Sequence, residues 1–227
     1  MIATSPMPST AASTDNPFFA PGPLPYQLPQ FDLICDAHYA PAFAEGMRQQ
    51  LAEIAAIADG GAPATFDNTI VALERTGRLL ARVSDVFFNL SGANTSDAMQ
   101  AVELELAPRL AAHGDRIKLN LKLFERIDAL HRQRAQLGLD PESLRLLERY
   151  HTDFIRAGAQ LADADKDQLR RMNAALATLS TSFSQNLLKE TNAAALLFER
   201  REQLAGLSES AIAAAAARTT IGRSCSR

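Results

Sequence analysis

Apolar side chains recur every three or four residues along most of the chain, which is the period of an amphipathic helix. The first run follows Pro41, a residue suited to the first turn of a helix, and extends from Phe43 to Ile57. The sequence DGGAP then interrupts it. This pattern predicts a helix with one face buried against a core.

The second run occupies residues 70–90 and predicts another helix. Thr65 or Asn68 can cap its start by accepting hydrogen bonds from free backbone amides. Gly77 can bend this helix, because glycine adopts backbone angles that are closed to other residues. The sequence SGANTSD breaks the pattern after residue 90.

The helical period resumes from residue 97 and continues to residue 130. Pro108 or Gly114 can kink this stretch, since proline removes a backbone hydrogen bond of the helix. The pattern fits either one long hairpin arm or two separate helices.

Two more helices are predicted downstream. Asp140 is suited to the N-cap position and Pro141 to the first helical position, ahead of an apolar face that includes His151. The last helix runs from about residue 162 to residue 190. Its apolar positions are Leu169, Met172, Leu176, Leu179, Phe183 and Leu187. Four large apolar residues are expected to fill the core, namely Ile70, Phe87, Phe154 and Phe183.

The chain is therefore predicted to be all-α, with about six or seven antiparallel helices joined by short loops. Residues 1–15 are rich in Ser, Thr, Pro and Ala and are expected to be a disordered leader. The helical region covers residues 16–217. It opens with a proline-rich segment predicted to lie extended, with five aromatic or aliphatic anchors on the core: Phe18, Phe19, Leu24, Tyr26 and Phe31.

The sequence after the alanine run ending at residue 217 loses the apolar period. Residues 218–227 contain three Arg, four Ser or Thr and no acidic residue. We expect this tail to be disordered, because a single large apolar residue cannot offset the entropy of ordering ten residues. A shifted reading frame or a broken gene would produce such a tail, and a natural disordered terminus is the alternative.

Composition narrows the function classes. The chain has 227 residues, of which 47% are hydrophobic. Its net charge of −3 does not indicate a basic surface for binding nucleic acid. No apolar run approaches the roughly 20 residues of a membrane span. No secretory signal is recognisable ahead of Arg48, the first basic residue. A soluble cytoplasmic protein is expected, or a periplasmic one if an upstream signal peptide has been lost.

No pattern of catalytic or metal-binding residues emerges from the four histidines. His38, His113, His131 and His151 lack the spacing that places two ligands on adjacent helical turns. His151 is expected to be buried or half-buried in its helix face, and the other three to face solvent. The sequence assigns no catalytic, cofactor-binding or metal-binding residue to the chain.

Two other features resemble metal-binding or disulfide motifs but do not complete them. The segment DADKD at residues 163–167 begins like a calcium loop but lacks its glycine and its final glutamate, and a helix start explains its charges. Cys35 and Cys225 have neither disulfide-framework nor zinc-knuckle spacing, and no Cys–His pairing is expected.

Three stretches carry a resemblance to a known family. They are HTDFIRAGAQLADADKDQLRRMNAALATLSTSFSQNLL at residues 151–188, PATFDNTIVALERTGRLLARVSDVFFNL at residues 63–90, and NPFFAPGPLPYQLPQFD at residues 16–32. The first two resemble the N-terminal helical region of the thimet-oligopeptidase and peptidyl-dipeptidase family of zinc metallopeptidases. The third resembles the opening of bacterial peptidyl-dipeptidases, also called dipeptidyl carboxypeptidases. The resemblance covers about residues 16–217.

The resemblance implies an almost wholly helical protein in which two lobes flank a channel that admits short peptides. It also implies a zinc ion held by an H-E-x-x-H helix and a later Glu. The sequence contains none of these residues. We therefore expect a truncated peptidase lobe that holds no zinc, is inactive alone and self-associates through exposed apolar surface. The alternative is a non-catalytic helical scaffold or interaction module derived from that lobe.

Overall fold

Helices make up most of the chain between residues 16 and 224. The structure is a computed structural model that describes residues 16–196, 198 and 200–224, with side chains as far as residue 216. The helices are α1 (Tyr39–Ala58), α2 (Ala72–Glu74), α3 (Arg78–Ala93), α4 (Asp97–Lys118), α5 (Leu121–Arg132), α6 (Pro141–Arg156), α7 (Asp163–Ala193) and α8 (Glu209–Ser224). This part of the chain contains no strand, so the predicted all-α class is confirmed.

The described part of the chain divides into two compact units, the first ending at Ser184 and the second beginning at Gln185. The division falls within the stretch 16–217 that the sequence treats as one helical region. The second unit contains α8, whose start is capped by Ser208 through a bond from the Ala211 amide to the Ser208 hydroxyl of 3.2 Å. An ion pair joins Arg201 to Glu209 in the same unit.

Helix α8 continues past the point where the apolar period fails. It extends through Ser224, so residues 218–224, which the sequence predicts to be disordered, are helical in the structure. The physical reason is that Arg, Ser and Thr are tolerated in a helix once an alanine run has formed its first turns. Residues 1–15 and 225–227, including Cys225, lie outside the described residues.

The first unit has two apolar core clusters. One is formed by α1, α3 and α4 around buried aromatic side chains, and its members are Phe18, Tyr39, Ala42, Phe43, Met47, Leu79, Val83, Val86, Phe87, Met99 and Leu106. The other joins the end of α1 to α5 and α6, and its members are Ile54, Ile57, Ile70, Leu73, Leu123, Phe124, Ile127, Leu130, Leu147, Phe154 and Ala159. Helix α1 thus supplies buried residues to both clusters.

The contact between α1 and α3 depends on Gly46. A Cβ atom at this position would lie 2.9 Å from the Cα of Leu80, which is closer than side-chain carbons approach backbone in proteins. The absence of a side chain therefore lets the two helix axes come together. The buried positions of α1 and α3 agree with their predicted apolar faces.

The second predicted helix is interrupted rather than bent. A π-helix (Phe66–Val71) leads into α2, and Gly77 with φ of +73° separates α2 from α3. Both proposed caps act together at the start: Thr65 Oγ1 accepts from the Asn68 amide at 3.1 Å, and Asn68 Oδ1 accepts from the Thr65 amide at 2.8 Å. This reciprocal arrangement is a capping box.

The stretch from residue 97 to residue 132 forms two helices. Helix α4 continues through Pro108 and ends at Lys118, and Asn120 caps α5 by accepting from the Leu123 amide at 3.1 Å. The chain therefore turns at residues 119–120, later than either predicted kink. Asp140 caps α6 as predicted, accepting from the amides of Glu142 and Ser143 at 3.0 Å each.

The proline-rich segment is anchored only at its start. Phe18 is buried and Phe19 packs against the first core cluster, whereas Leu24, Tyr26 and Phe31 are exposed. The prediction of five anchors is therefore wrong for three of them. Hydrogen bonds hold the anchored end, since Arg82 donates to the Phe18 carbonyl at 2.7 Å. In the described structure no comparable side-chain bond is found at Leu24, Tyr26 or Phe31, and the backbone bonds of Leu24 and Phe31 stay within residues 24–34.

Candidate functional site

A stacked pair of imidazole rings joins α5 to α6. The ring centroids of His131 and His151 lie 3.7 Å apart and the planes differ by 7°. His151 Nε2 donates to Asp128 Oδ1 at 3.1 Å, and the ring of Phe124 stacks on His151 at 5.8 Å. The half-buried position predicted for His151 is confirmed. His131 does not simply face solvent as expected, because its ring covers that of His151.

The electrostatic environment of the pair disfavours the charged form of His131. Burial lowers the pKa of His131, and the neighbouring His151 and Arg134 lower it further, against the opposing effect of nearby carboxylates. Asp128 is also bound by Arg132, with an N–O distance of 2.5 Å. Both Asp128 oxygens are therefore engaged, so the cluster acts as a packing and hydrogen-bonding joint between helices.

His113 forms a second buried polar contact, between α4 and α1. Its side chain is 6% exposed, and Nε2 lies 2.6 Å from Gln50 Oε1. The Gln50 amide nitrogen donates to Thr76 Oγ1 at 3.4 Å, which leaves the Gln50 oxygen to accept from His113. Burial lowers the pKa of His113. The prediction that His113 faces solvent is wrong.

A spacing signal could have located His113. It follows Leu106 and Leu110 at steps of four and three residues, which places it on the same helix face. Its imidazole therefore continues an apolar stripe, and the amide oxygen of Gln50 satisfies the buried Nε2.

Cys35 and His38 form a Cys–His contact that the sequence analysis missed. The Cys35 sulfur lies 3.5 Å from His38 Nδ1, in an exposed 3-10 turn (Asp36–His38) that leads into α1. A spacing of three residues brings side chains together in such a turn. His38 Nδ1 also accepts from the Cys35 amide at 3.1 Å, so the pair caps the turn.

These side chains do not combine into a metal centre. Among the described residues, no group of three or more His, Cys, Asp or Glu side chains is placed to hold a metal ion. The DADKD segment forms the first turn of α7, where acidic side chains complement the positive end of the helix. The donors present therefore do not fit a catalytic zinc site. No described helix is long and apolar enough to cross a membrane.

The most unusual surface of the first unit lies on α7. We call it the α7 apolar face, and its members are Met172, Leu176, Leu179 and Phe183, which are 59–69% exposed. The sequence places all four on the apolar stripe of the last predicted helix and predicts Phe183 in the core. The structure corrects that prediction and places all four side chains towards solvent.

The polarity of α7 is reversed relative to a surface helix. Its less exposed side carries Asn173, Ala174, Ala177, Thr178, Thr181 and Ser182, which are small or polar. Asn173 donates to the buried Asp115 of α4 at 2.7 Å, so this side faces the first unit's own helices. An apolar face left in water is typical of a surface that another protein segment covers.

Comparison with known proteins identifies what the chain is similar to. It is 47% identical over 204 residues to a dipeptidyl carboxypeptidase of Escherichia coli (strain K12), and 47% identical over 205 residues to one of Salmonella typhimurium. These alignments cover 90% and 89% of the chain. Oligopeptidase A of Escherichia coli is a more distant relative, 23% identical over 85% of the chain. No family model matches the chain.

The match covers only part of the relatives. The chain spans about 30% of the length of each dipeptidyl carboxypeptidase and 28% of oligopeptidase A. The 47% identity to dipeptidyl carboxypeptidases confirms the resemblance to the peptidyl-dipeptidase family that the sequence indicates.

Proposed function

We propose that this chain forms part of the N-terminal lobe of a peptidyl-dipeptidase-like zinc peptidase, an enzyme that releases dipeptides from the C-termini of short peptides. The observation that carries this proposal is the similarity to dipeptidyl carboxypeptidases along nine tenths of the chain. The all-α structure of the described residues supports it, because the family resemblance implies such a lobe.

We further propose that the chain alone binds no catalytic zinc and hydrolyses no peptide. The H-E-x-x-H motif occurs nowhere in its sequence. A bound zinc ion would supply an activated water in the complete enzyme. In this chain His113, His131 and His151 make contacts between helices, and His38 contacts Cys35 within a turn. The contribution of this lobe is therefore a rigid wall that helps to exclude large substrates and to confine short peptides.

The rigidity of that wall has a structural basis. Edge-to-face aromatic contacts link α1 to α3, with Tyr39 and Phe43 at 4.9 and 5.5 Å from Phe87. Buried polar contacts add directional constraints, such as His113 to Gln50 between α4 and α1. Packed helices of this kind keep a channel wall in place while a peptide binds.

The test is a chimaeric enzyme in which residues 16–217 replace the matched part of the Escherichia coli dipeptidyl carboxypeptidase. We expect the chimaera to release dipeptides in a chelator-sensitive reaction, and the isolated chain to show neither hydrolysis nor stoichiometric zinc. A folded chimaera without activity would contradict the proposal and favour the non-catalytic scaffold. Chelator-sensitive hydrolysis by the isolated chain would contradict the proposed inactivity.

A further inference from the structure

The α7 apolar face has the spacing of a helix-pairing seam. Its four side chains follow one another at steps of four, three and four residues, which is the alternation found where two helices pack side by side. The face extends over about three helical turns, or roughly 17 Å. A second amphipathic helix would cover it along its length.

The composition around the seam favours a protein helix over a charged ligand. Residues 172–188 contain no Lys, Arg, Asp or Glu, although Arg171 and Lys189 border this stretch directly. The exposed neighbours Ala175 and Ser180 are small, which allows two helix axes to approach to the usual 8–10 Å. An uncharged apolar seam with small flanking residues fits the apolar face of another helix.

We propose that the occupant is an amphipathic helix from the part of the peptidase that the curated relatives possess beyond the matched region. This inference rests on the proposed function. The matched region is about 30% of each dipeptidyl carboxypeptidase, so most of a complete enzyme remains to supply such a helix.

The size of the seam also favours an occupant within the same enzyme over a second copy of this chain. Stable interfaces between separate proteins bury about 1,200–2,000 Å² in total. Four side chains on three helical turns offer too small an area to reach this range easily. A segment joined covalently to the lobe reaches a high effective concentration and needs less contact area. The reversed polarity of α7 is explained if its apolar side lies between the lobe and that segment.

The experiment introduces Leu176→Glu and, separately, Leu179→Glu into both the isolated chain and the chimaera described above. Ser184→Glu is the matched control, because Ser184 is exposed on α7 away from the seam. We expect the seam variants to leave the melting temperature of the isolated chain unchanged and to lower that of the chimaera by about 2 °C or more. The control should leave both proteins unchanged.

The outcomes separate this inference from the proposed function. An active chimaera that tolerates the seam variants as well as Ser184→Glu would overturn the inference alone. A folded but inactive chimaera that is destabilised only by the seam variants would uphold the inference and contradict the proposed function. A chimaera that fails to fold would contradict both. Sedimentation of the isolated chain as a dimer that Leu176→Glu dissociates would identify a second copy as the occupant and overturn the inference.

Discussion

Two phenylalanines in helix interiors should differ strongly in how much stability the chain loses when each is replaced by alanine. Phe87 lies in α3 and is fully buried, whereas Phe183 lies in α7 and is 69% exposed. Both belong to the first compact unit and both occupy helix interiors. Replacing each by alanine therefore isolates the effect of burial, because the gain in helix propensity is the same at the two positions, about 0.5 kcal/mol.

The expected difference follows from the contacts of the Phe87 ring. Burial of such a side chain contributes about 1.5–3 kcal/mol, and removing it leaves a cavity. Its edge-to-face contacts with Tyr39 and Phe43 each add roughly 0.5–1.5 kcal/mol. Phe87→Ala should therefore cost about 3–5 kcal/mol, while Phe183→Ala should change the free energy of unfolding by no more than about 0.5 kcal/mol.

Urea unfolding followed by circular dichroism would measure both values on the isolated chain. The measurement should be repeated at two protein concentrations, since self-association would make the midpoint depend on concentration. A cost for Phe183→Ala close to that for Phe87→Ala would refute the reasoning. It would show that the α7 apolar face is covered in the isolated chain.

Further substitutions test local features of the fold. Gly77→Ala should destabilise the chain by about 1–2 kcal/mol, because Gly77 has φ of +73° and a Cβ atom would lie against the Gln50 amide. Gly114→Ala should instead stabilise it by about 0.5–1 kcal/mol, because Gly114 lies in an open part of α4. Asp140→Ala should cost about 0.5–2 kcal/mol by removing the α6 cap, and Asp140→Asn should retain most of that stability, both measured by thermal unfolding. Because the pKa of His131 is lowered in the folded chain, the unfolded chain binds more protons near the usual histidine pKa of about 6.5. Stability should therefore decrease as the pH is lowered from 7 to 5.5. His131→Gln should reduce that fall in the denaturation midpoint, and an unchanged pH dependence would contradict the assignment.

Local signals predicted much of this fold because they describe interactions between neighbouring residues. The Asp140 cap, the α1 stripe and the capping position of Thr65 each depend on a few consecutive side chains and the backbone beside them. The same local character explains why the chain could be recognised as helical before any packing was known.

The errors arise where the outcome depends on distant partners. The amphipathic pattern of α7 predicts that its apolar face is buried, but it does not show whether the burying segment belongs to this chain. Gly77 illustrates a second limit, since its amide, at the break between α2 and α3, donates to Glu53 of another helix at 2.8 Å. His113 shows a third, because burial of its ring requires an amide from α1 as a hydrogen-bond partner.

The shared use of α1 by both core clusters has a consequence for hydrogen exchange. Opening either cluster removes part of the packing of α1, so partial unfolding that spares α1 is unfavourable. Its central amide protons, around Gly46 to Ile54, should therefore exchange with deuterium only when the whole unit unfolds, at a rate governed by global stability. Amides in α7 between residues 174 and 183 should exchange through local opening, because that helix contributes no residue to either cluster. The slowest-exchanging backbone of the first unit is thus expected in its first long helix.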